Sequence, residues 1–223
     1  LKQWANREPR FYTNITFHGS TWLKTDTPRG EITTELTYNG NSGYANANWD
    51  APYTGYGMRK MASKEGRSRH CATLLRLADM YLGYAETLSA CDQRNEAIKY
   101  VNKIRARAGI PGYGAVGTKD DNGFACIPYE DTRDGVDKRI HRERLVELMF
   151  EWNHFFDVRR WMIAEDTDNR MMHGFEITRN GERKTGRIID TRQHTFRKAM
   201  YFYPIPYKET VKSPDLLQNP YYE

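Results

Sequence analysis

Long hydrophobic runs are missing from this 223-residue sequence: no window approaches eighteen uninterrupted apolar residues, so nothing in it reads as a membrane-spanning helix. Cysteine is scarce. Three residues with no C-x-x-C spacing exclude a disulfide framework. If Cys71 and Cys91 sit at the two ends of one helix, about 1.5 Å per residue sets them roughly 30 Å apart. They then cannot pair, which leaves Cys126 to bridge one of them or all three as free thiols. The six histidines, at 18, 70, 141, 154, 173 and 194, show no i, i+4 pair, and His141-x-Glu143 is not H-E-x-x-H. There is no G-x-S-x-G elbow, and Gly55-Tyr56-Gly57 is too short and too aromatic for a phosphate loop. The sequence therefore leads us to expect no metal and no cofactor.

Charge of one sign is lacking as well. The 34 basic residues stand against 29 acidic ones, a net charge of +5. Only RNGERKTGR, residues 179–187, approaches a basic run, and Glu182 interrupts it without interleaved aromatics. It reads as a solvated hairpin tip, and no nucleic-acid partner is expected. The start, LKQWANREPR, has neither an initiating Met nor an apolar leader, and reads as an internal piece of a longer chain.

What is present is aromatic. Mean hydropathy is −0.84, yet Phe, Trp and Tyr make up 13% of residues, so apolar area is carried by rings more than by aliphatic runs. FYTNITFH, residues 11–18, alternates in the period-2 manner of a half-buried strand. Residues 19–57 follow, rich in Gly, Asn, Thr, Trp and Tyr, and read as a long loop region with Gly40-Asn41-Ser42-Gly43 as a breaker.

Helical periodicity then takes over. Residues 69–90 align Leu74, Ala78, Tyr81, Ala85 and Leu88 on one face. A second helix runs from about Asn95 and ends where Gly109, Ile110 and Pro111 fit a Schellman motif. Tyr81, Ala85, Leu88, Ala97 and Val101 fall at the offsets of one tetratricopeptide unit, with Ala85 and Ala97 allowing close approach. After a Gly-rich insertion at residues 112–135, a second pair is expected from Asp137 to about Glu151 and from Asn153 to about Ala164. Asn180-Gly181 signals a type I′ hairpin. Pro204 and Pro206 keep the C-terminal segment extended, with one turn near residues 208–212. The expected fold is mainly α, built on tetratricopeptide-like pairs with long loops and a small β-hairpin.

Several of these segments together resemble the SusD/RagB family of surface glycan-binding lipoproteins of Bacteroidetes: NREPRFY, RLADMYLGYAETL with NKIRARAGIP, RERLVELMFEWNHFFDVRRW, and the terminal YPIP with LLQNPYY. The likeness spans nearly the whole chain. It implies a right-handed α superhelix whose long loops hold the ligand surface. Residues 1–223 would be the C-terminal part of a single SusD-like domain whose N-terminal part is absent from this chain. The resemblance further implies a non-catalytic protein on the extracellular face of the outer membrane, anchored by a lipidated N-terminal Cys outside this chain. It would bind an oligosaccharide, or in some relatives a peptide, and deliver it to a SusC-like TonB-dependent transporter. One departure stands out: the family usually shows Glu-Gly followed by Arg where this sequence has Glu151-Trp152 and His154.

Two groups of residues are candidates for a site. Glu143, Glu147 and Glu151, spaced i, i+4 in a helix, could supply the acid/base pair of an all-helical glycan-active hydrolase. The competing expectation is structural: ion pairs with nearby arginines, interleaved with Leu145, Leu148, Met149, Phe155, Phe156 and Trp161. The second group is Trp22, Tyr38, Tyr44, Trp49 and Tyr53 with Asn48 and Asp50. Aromatic faces stack on sugar rings while amides and carboxylates bond hydroxyls, so these are the expected ligand contacts. The alternative is that such aromatics, Tyr56 among them, only staple the loop to the helices. A plain helical-repeat scaffold is the third reading.

Overall fold

The computed structural model describes residues 4–23, 30–47, 52, 54–62, 73–171, 175–177, 183–185, 194–213 and 215–222. As expected, the fold is mainly helical, with three two-stranded antiparallel sheets among the described residues. Its centre is a helix pair, α3 (Leu77–Ala90) and α4 (Arg94–Arg107), with α5 (Arg133–Glu147) packed across both. Ala85 and Ala97 are fully buried in one cluster with Leu82, Val101, Val136 and Ile140. Small side chains at the crossing let the helices approach, and aliphatic ones fill the space around them.

The end of α4 forms as its sequence foretells. Gly109 takes φ +68° and its N–H bonds the Ala106 carbonyl at 3.1 Å, while the Ile110 N–H bonds the Arg105 carbonyl at 3.1 Å. This is the Schellman pair of bonds, and buried Ile110 closes it.

Elsewhere the boundaries move. Residues 11–14, read as part of a strand, belong to a short helix, α1 (Pro9–Asn14). Pro9 at the first turn presets the helical φ, and only Ile15–Thr16 remains extended as β1. The first long helix begins at Leu77, not Arg69. Arg76 is extended (φ −142°, ψ 159°), and Leu74 lies 95% exposed while Leu82 takes the core position. With residues 73–76 outside the helix, the separation argued for Cys71 and Cys91 loses its basis; Cys91 and Cys126 are free thiols and Cys71 lies outside the described residues.

The start of α5 comes four residues early because Thr132 caps it, its hydroxyl accepting from the Gly135 N–H at 3.1 Å. Gly135 is thus a first-turn residue, not a loop breaker. A Cβ there would lie 2.3 Å from the Glu130 carbonyl oxygen. The partner helix α6 (Asn153–Arg160) follows a corner in which Phe150 (φ +65°) and Trp152 (φ +68°) are both left-handed. Such a conformation costs about 1–2 kcal/mol for a residue with a Cβ. Trp152 stands where the resemblance implies a glycine, the residue that adopts this conformation freely. Short α7 (Ala164–Thr167) comes next, and Val158, Ala164 and Phe196 form a second, smaller cluster.

The predicted hairpin forms from β5 (Phe175–Ile177) and β6 (Arg183–Thr185), but Ile177 pairs with Arg183. A two-residue Asn180-Gly181 loop would set Ile177 against Lys184, so the register differs by one; the turn lies outside the described residues. The C-terminal segment carries its expected turn as α8 (Tyr207–Lys212).

Candidate functional site

The long loop has a closed base. β1 pairs antiparallel with β4 (Gly57–Met58), and the Arg59 and Lys60 N–H groups both bond the Asn14 carbonyl, at 2.9 and 3.2 Å. Residues 17–56 are therefore an excursion that leaves and returns at one point. Phe11 of α1 stacks on Phe17 (5.3 Å between centroids) and meets Tyr56 edge-on at 6.0 Å, while Trp4 stacks on Phe17 at 5.7 Å. Tyr56 thus staples the loop, as the structural alternative held.

Within the excursion, β2 (Thr21–Leu23) pairs with β3 (Ile32–Thr33), and α2 spans Tyr44–Ala47. The Gly40-Asn41-Ser42-Gly43 breaker is a tight turn: a Cβ on Gly43 would lie 1.7 Å from the Thr37 carbonyl oxygen. Its amides hold the backbone. Asn41 accepts from the Glu35 N–H at 2.9 Å and donates to the Thr33 carbonyl at 2.7 Å, and Asn46 donates to Asn39 and Gly40. Of the expected ligand contacts, Tyr38 is 55% exposed and Trp22 is half-buried on β2. Tyr44 opens α2. Asn48, Trp49, Asp50 and Tyr53 lie outside the described residues.

Beneath the loop base lies a network of ion pairs. Arg10 of α1 donates to Glu143 Oε1 at 2.6 Å and to Glu147 Oε2 at 3.0 Å. Arg105 of α4 donates to Glu143 Oε2 at 2.8 Å. Arg76 forks onto Glu151 at 2.7 and 2.8 Å and reaches Glu147 Oε1 at 2.7 Å. Arg107 also donates to Glu147, and Lys60 pairs with Glu151. Glu143 and Glu147 are 2% and 3% exposed, so their pairs with the buried Arg10 and Arg105 act where screening is weak. The expectation of ion pairs holds, and Asp157 has the expected nearby arginines, Arg160 at i,i+3 and Arg144 on the facing helix; the cations on the three glutamates come instead from α1, the turn after β4, the segment before α3 and the end of α4. Nothing local in the sequence marks Arg10 or Arg76 for this role.

The aromatic half of the expected layer is only partly formed. Leu148 is buried, whereas Leu145, Phe155 and Phe156 are exposed. A second knot joins α5 to α6: Arg144 grips Asp157 at 2.9 and 3.1 Å and reaches Asp79 of α3 at 3.0 Å.

The network borders a cleft of about 500 Å³ lined by Arg10, Lys60, Arg76, Arg107, Glu147 and Glu151. Burial alone would raise the Glu147 carboxyl, but hydrogen bonds from Arg107, Arg76 and Arg10 outweigh it and hold the group below the usual carboxylate range. Glu151 is likewise held down against burial by Arg76 and Lys60. Carboxylates kept ionised in this way hold no proton to donate at neutral pH, so the geometry is that of a clamp, not of a general acid. Among the described residues no three His, Cys, Asp or Glu side chains gather as a metal site, and no helix is long and apolar enough to cross a membrane.

Comparison with known proteins gives a consistent result. The family model described as the SusD family matches residues 1–222. A SusD-like protein from Bacteroides fragilis has a crystal structure that matches with a TM-score of 0.79 and 28% identity, over 98% of this chain and 40% of that one. A SusD-like carbohydrate binding protein from the same organism matches in fold with a TM-score of 0.66 and 21% identity, over 96% of this chain and 42% of that one. A SusD superfamily protein from Bacteroides vulgatus gives 0.54 and 19%, over 94% and 38%. The chain thus spans about 40% of the length of these structures. No curated protein matches it.

Proposed function

Because this chain belongs to the SusD family, we propose that it is part of a non-catalytic protein that binds oligosaccharide at the outer-membrane surface and delivers it to a SusC-like TonB-dependent transporter. The family match over residues 1–222 carries this reading. The ion-pair network supports the non-catalytic part, since the three glutamates from which a hydrolase would draw its acid/base pair are each gripped by cations. The proposed ligand contacts are Trp22, Tyr38, Tyr44, Trp49 and Tyr53, with Asn48 and Asp50, on a loop whose base is fixed to the helices. Anchoring by a lipidated cysteine outside this chain, and docking of an N-terminal part of the same domain, belong to the same proposal.

The test is a titration of the full-length protein with neutral oligosaccharides, followed by tryptophan fluorescence, with chromatography of the sugars afterwards. Saturable quenching without new products supports the proposal. Shortened sugars would support the hydrolase reading, and no response to any sugar would count against oligosaccharide as the ligand. Membrane extraction with the transporter as the co-purifying species tests the delivery step.

A further inference from the structure

We propose that the cleft at the base of the loop binds a uronic acid unit, Arg107 taking its carboxylate and Asn14 another sugar oxygen. This rests on the oligosaccharide-binding reading above, uses none of its loop residues and narrows its ligand to acidic glycans. Pro9, Thr13, Asn14, Met61, Thr73 and Ala108 complete the wall that Arg10, Lys60, Arg76, Arg107, Glu147 and Glu151 begin. The cleft's volume of about 500 Å³ lies within the range of small-molecule sites, about 300–1,000 Å³.

The charges on this wall do not cancel. Arg10 is also paired with Glu8 and Glu143, which leaves three cations, Lys60, Arg76 and Arg107, against two carboxylates, Glu147 and Glu151. Both oxygens of each carboxylate already accept from cations. Donors remain. The Arg107 side chain is 58% exposed and gives only Nη2 to Glu147, so its Nε and Nη1 groups donate to nothing among the described residues.

Asn14 adds an independent observation. It is 9% exposed on the cleft wall, and its Oδ1 accepts from Thr13 at 3.2 Å, while its NH₂ group donates to nothing among the described residues. Nor is that nitrogen sealed from the surface, as the unpartnered Trp4 Nε1, Thr16 Oγ1 and Trp161 Nε1 atoms are. Spare donors beside surplus positive charge call for an anion rich in acceptor oxygens. A carboxylate accepts two parallel bonds from a guanidinium edge. Pro9, Met61 and Ala108 offer the C–H groups of its ring an apolar contact. A neutral sugar would leave the charge unmatched.

The test is calorimetry of the full-length protein with oligogalacturonate, oligoglucuronate and oligomannuronate, each beside its uncharged methyl ester, and with a triglutamate peptide. One acid form should bind about tenfold more tightly than its ester, and the gap should narrow in about 0.5 M salt. Arg107→Gln should weaken the acid about tenfold and the ester far less, and Arg107→Lys should restore part of the preference. Asn14→Asp, which keeps the shape and replaces the donor by an anion, should also weaken the acid more than the ester. Equal affinity of the unmodified protein for acid and ester would overturn the acidic site while the parent reading stands. Equal losses for acid and ester in Arg107→Gln would mean that Arg107 acts only by holding the loop base, and would overturn it too. Tighter binding of the peptide than of any uronide would overturn the sugar assignment. If no sugar binds, charged or uncharged, the parent reading and the site fall together.

Discussion

Replacing Glu147 by Gln should destabilise the protein by about 3 kcal/mol, the lower end of the cost of breaking a buried pair from one side. Glu147 is 3% exposed, and both its oxygens are used: Oε1 accepts from Arg76 and Arg107, Oε2 from Arg10. An amide has one oxygen, so whichever way it turns its NH₂ group meets a guanidinium donor. The figure stays at the low end because Arg10 keeps Glu8 and Glu143, and Arg76 keeps Glu151. Arg107→Gln is the internal control. That side chain is 58% exposed, and removing it should cost no more than about 1 kcal/mol although it touches the same carboxylate. Urea unfolding of the full-length protein reads both. If Glu147→Gln costs no more than Arg107→Gln, the network does not hold the fold in the way described.

Acidification provides a second check: Glu147 and Glu151 have folded pKa values below the ordinary 4.5, so their stabilisation is complete above that pH and is lost as pH falls through the folded values. The unmodified protein should lose stability below about pH 4.5 more steeply than Glu147→Gln, and equal slopes would contradict the assignment. Ala85→Leu should overpack the fully buried crossing of α3 and α4 and cost about 1–3 kcal/mol; an unchanged unfolding midpoint would count against close helix contact there. Alanine at Trp22, Trp49 and Tyr53 should weaken oligosaccharide binding with little effect on thermal stability, as calorimetry and melting curves would show. Leu74, Leu75, Leu77, Met80 and Tyr84 leave an exposed apolar strip on and before α3. The chain expressed alone should therefore bind a hydrophobic dye, and adding the upstream polypeptide should suppress it; a monodisperse chain without dye binding would end that reading.

The helices were legible where periodicity and capping agreed. For α4 the apolar face, the glycine and the proline all point to one stop, and the structure uses each of them. The strand expected at residues 11–18 survives only at Ile15–Thr16, because Pro9 in the first turn starts a helix that runs to Asn14. Gly135 misled for a different reason: a glycine needed for close approach looks the same in sequence as one that breaks a helix. The network was half legible. Three glutamates at i, i+4 announced a charged helix face, yet Arg10 lies 133 residues from Glu143, and only the folded chain brings them together.

The division of labour follows from where those charges sit. Arg10, Lys60, Arg76, Arg105 and Arg107, with the glutamates they hold, all lie outside residues 17–56. Among the described residues the loop excursion contributes none of these ion pairs and none of the helix-pair core; it is held at its base by β1, β4 and the Phe11–Tyr56 contact. On the binding role proposed for the loop, substitutions in the excursion should then alter affinity without breaking the clamp, whose ion pairs it does not share. The clamp residues carry the opposite expectation. Loosening Arg10 or Glu147 frees the base of the loop while leaving its aromatics intact, so such variants should lose binding through lost positioning even though no ligand contact has been removed.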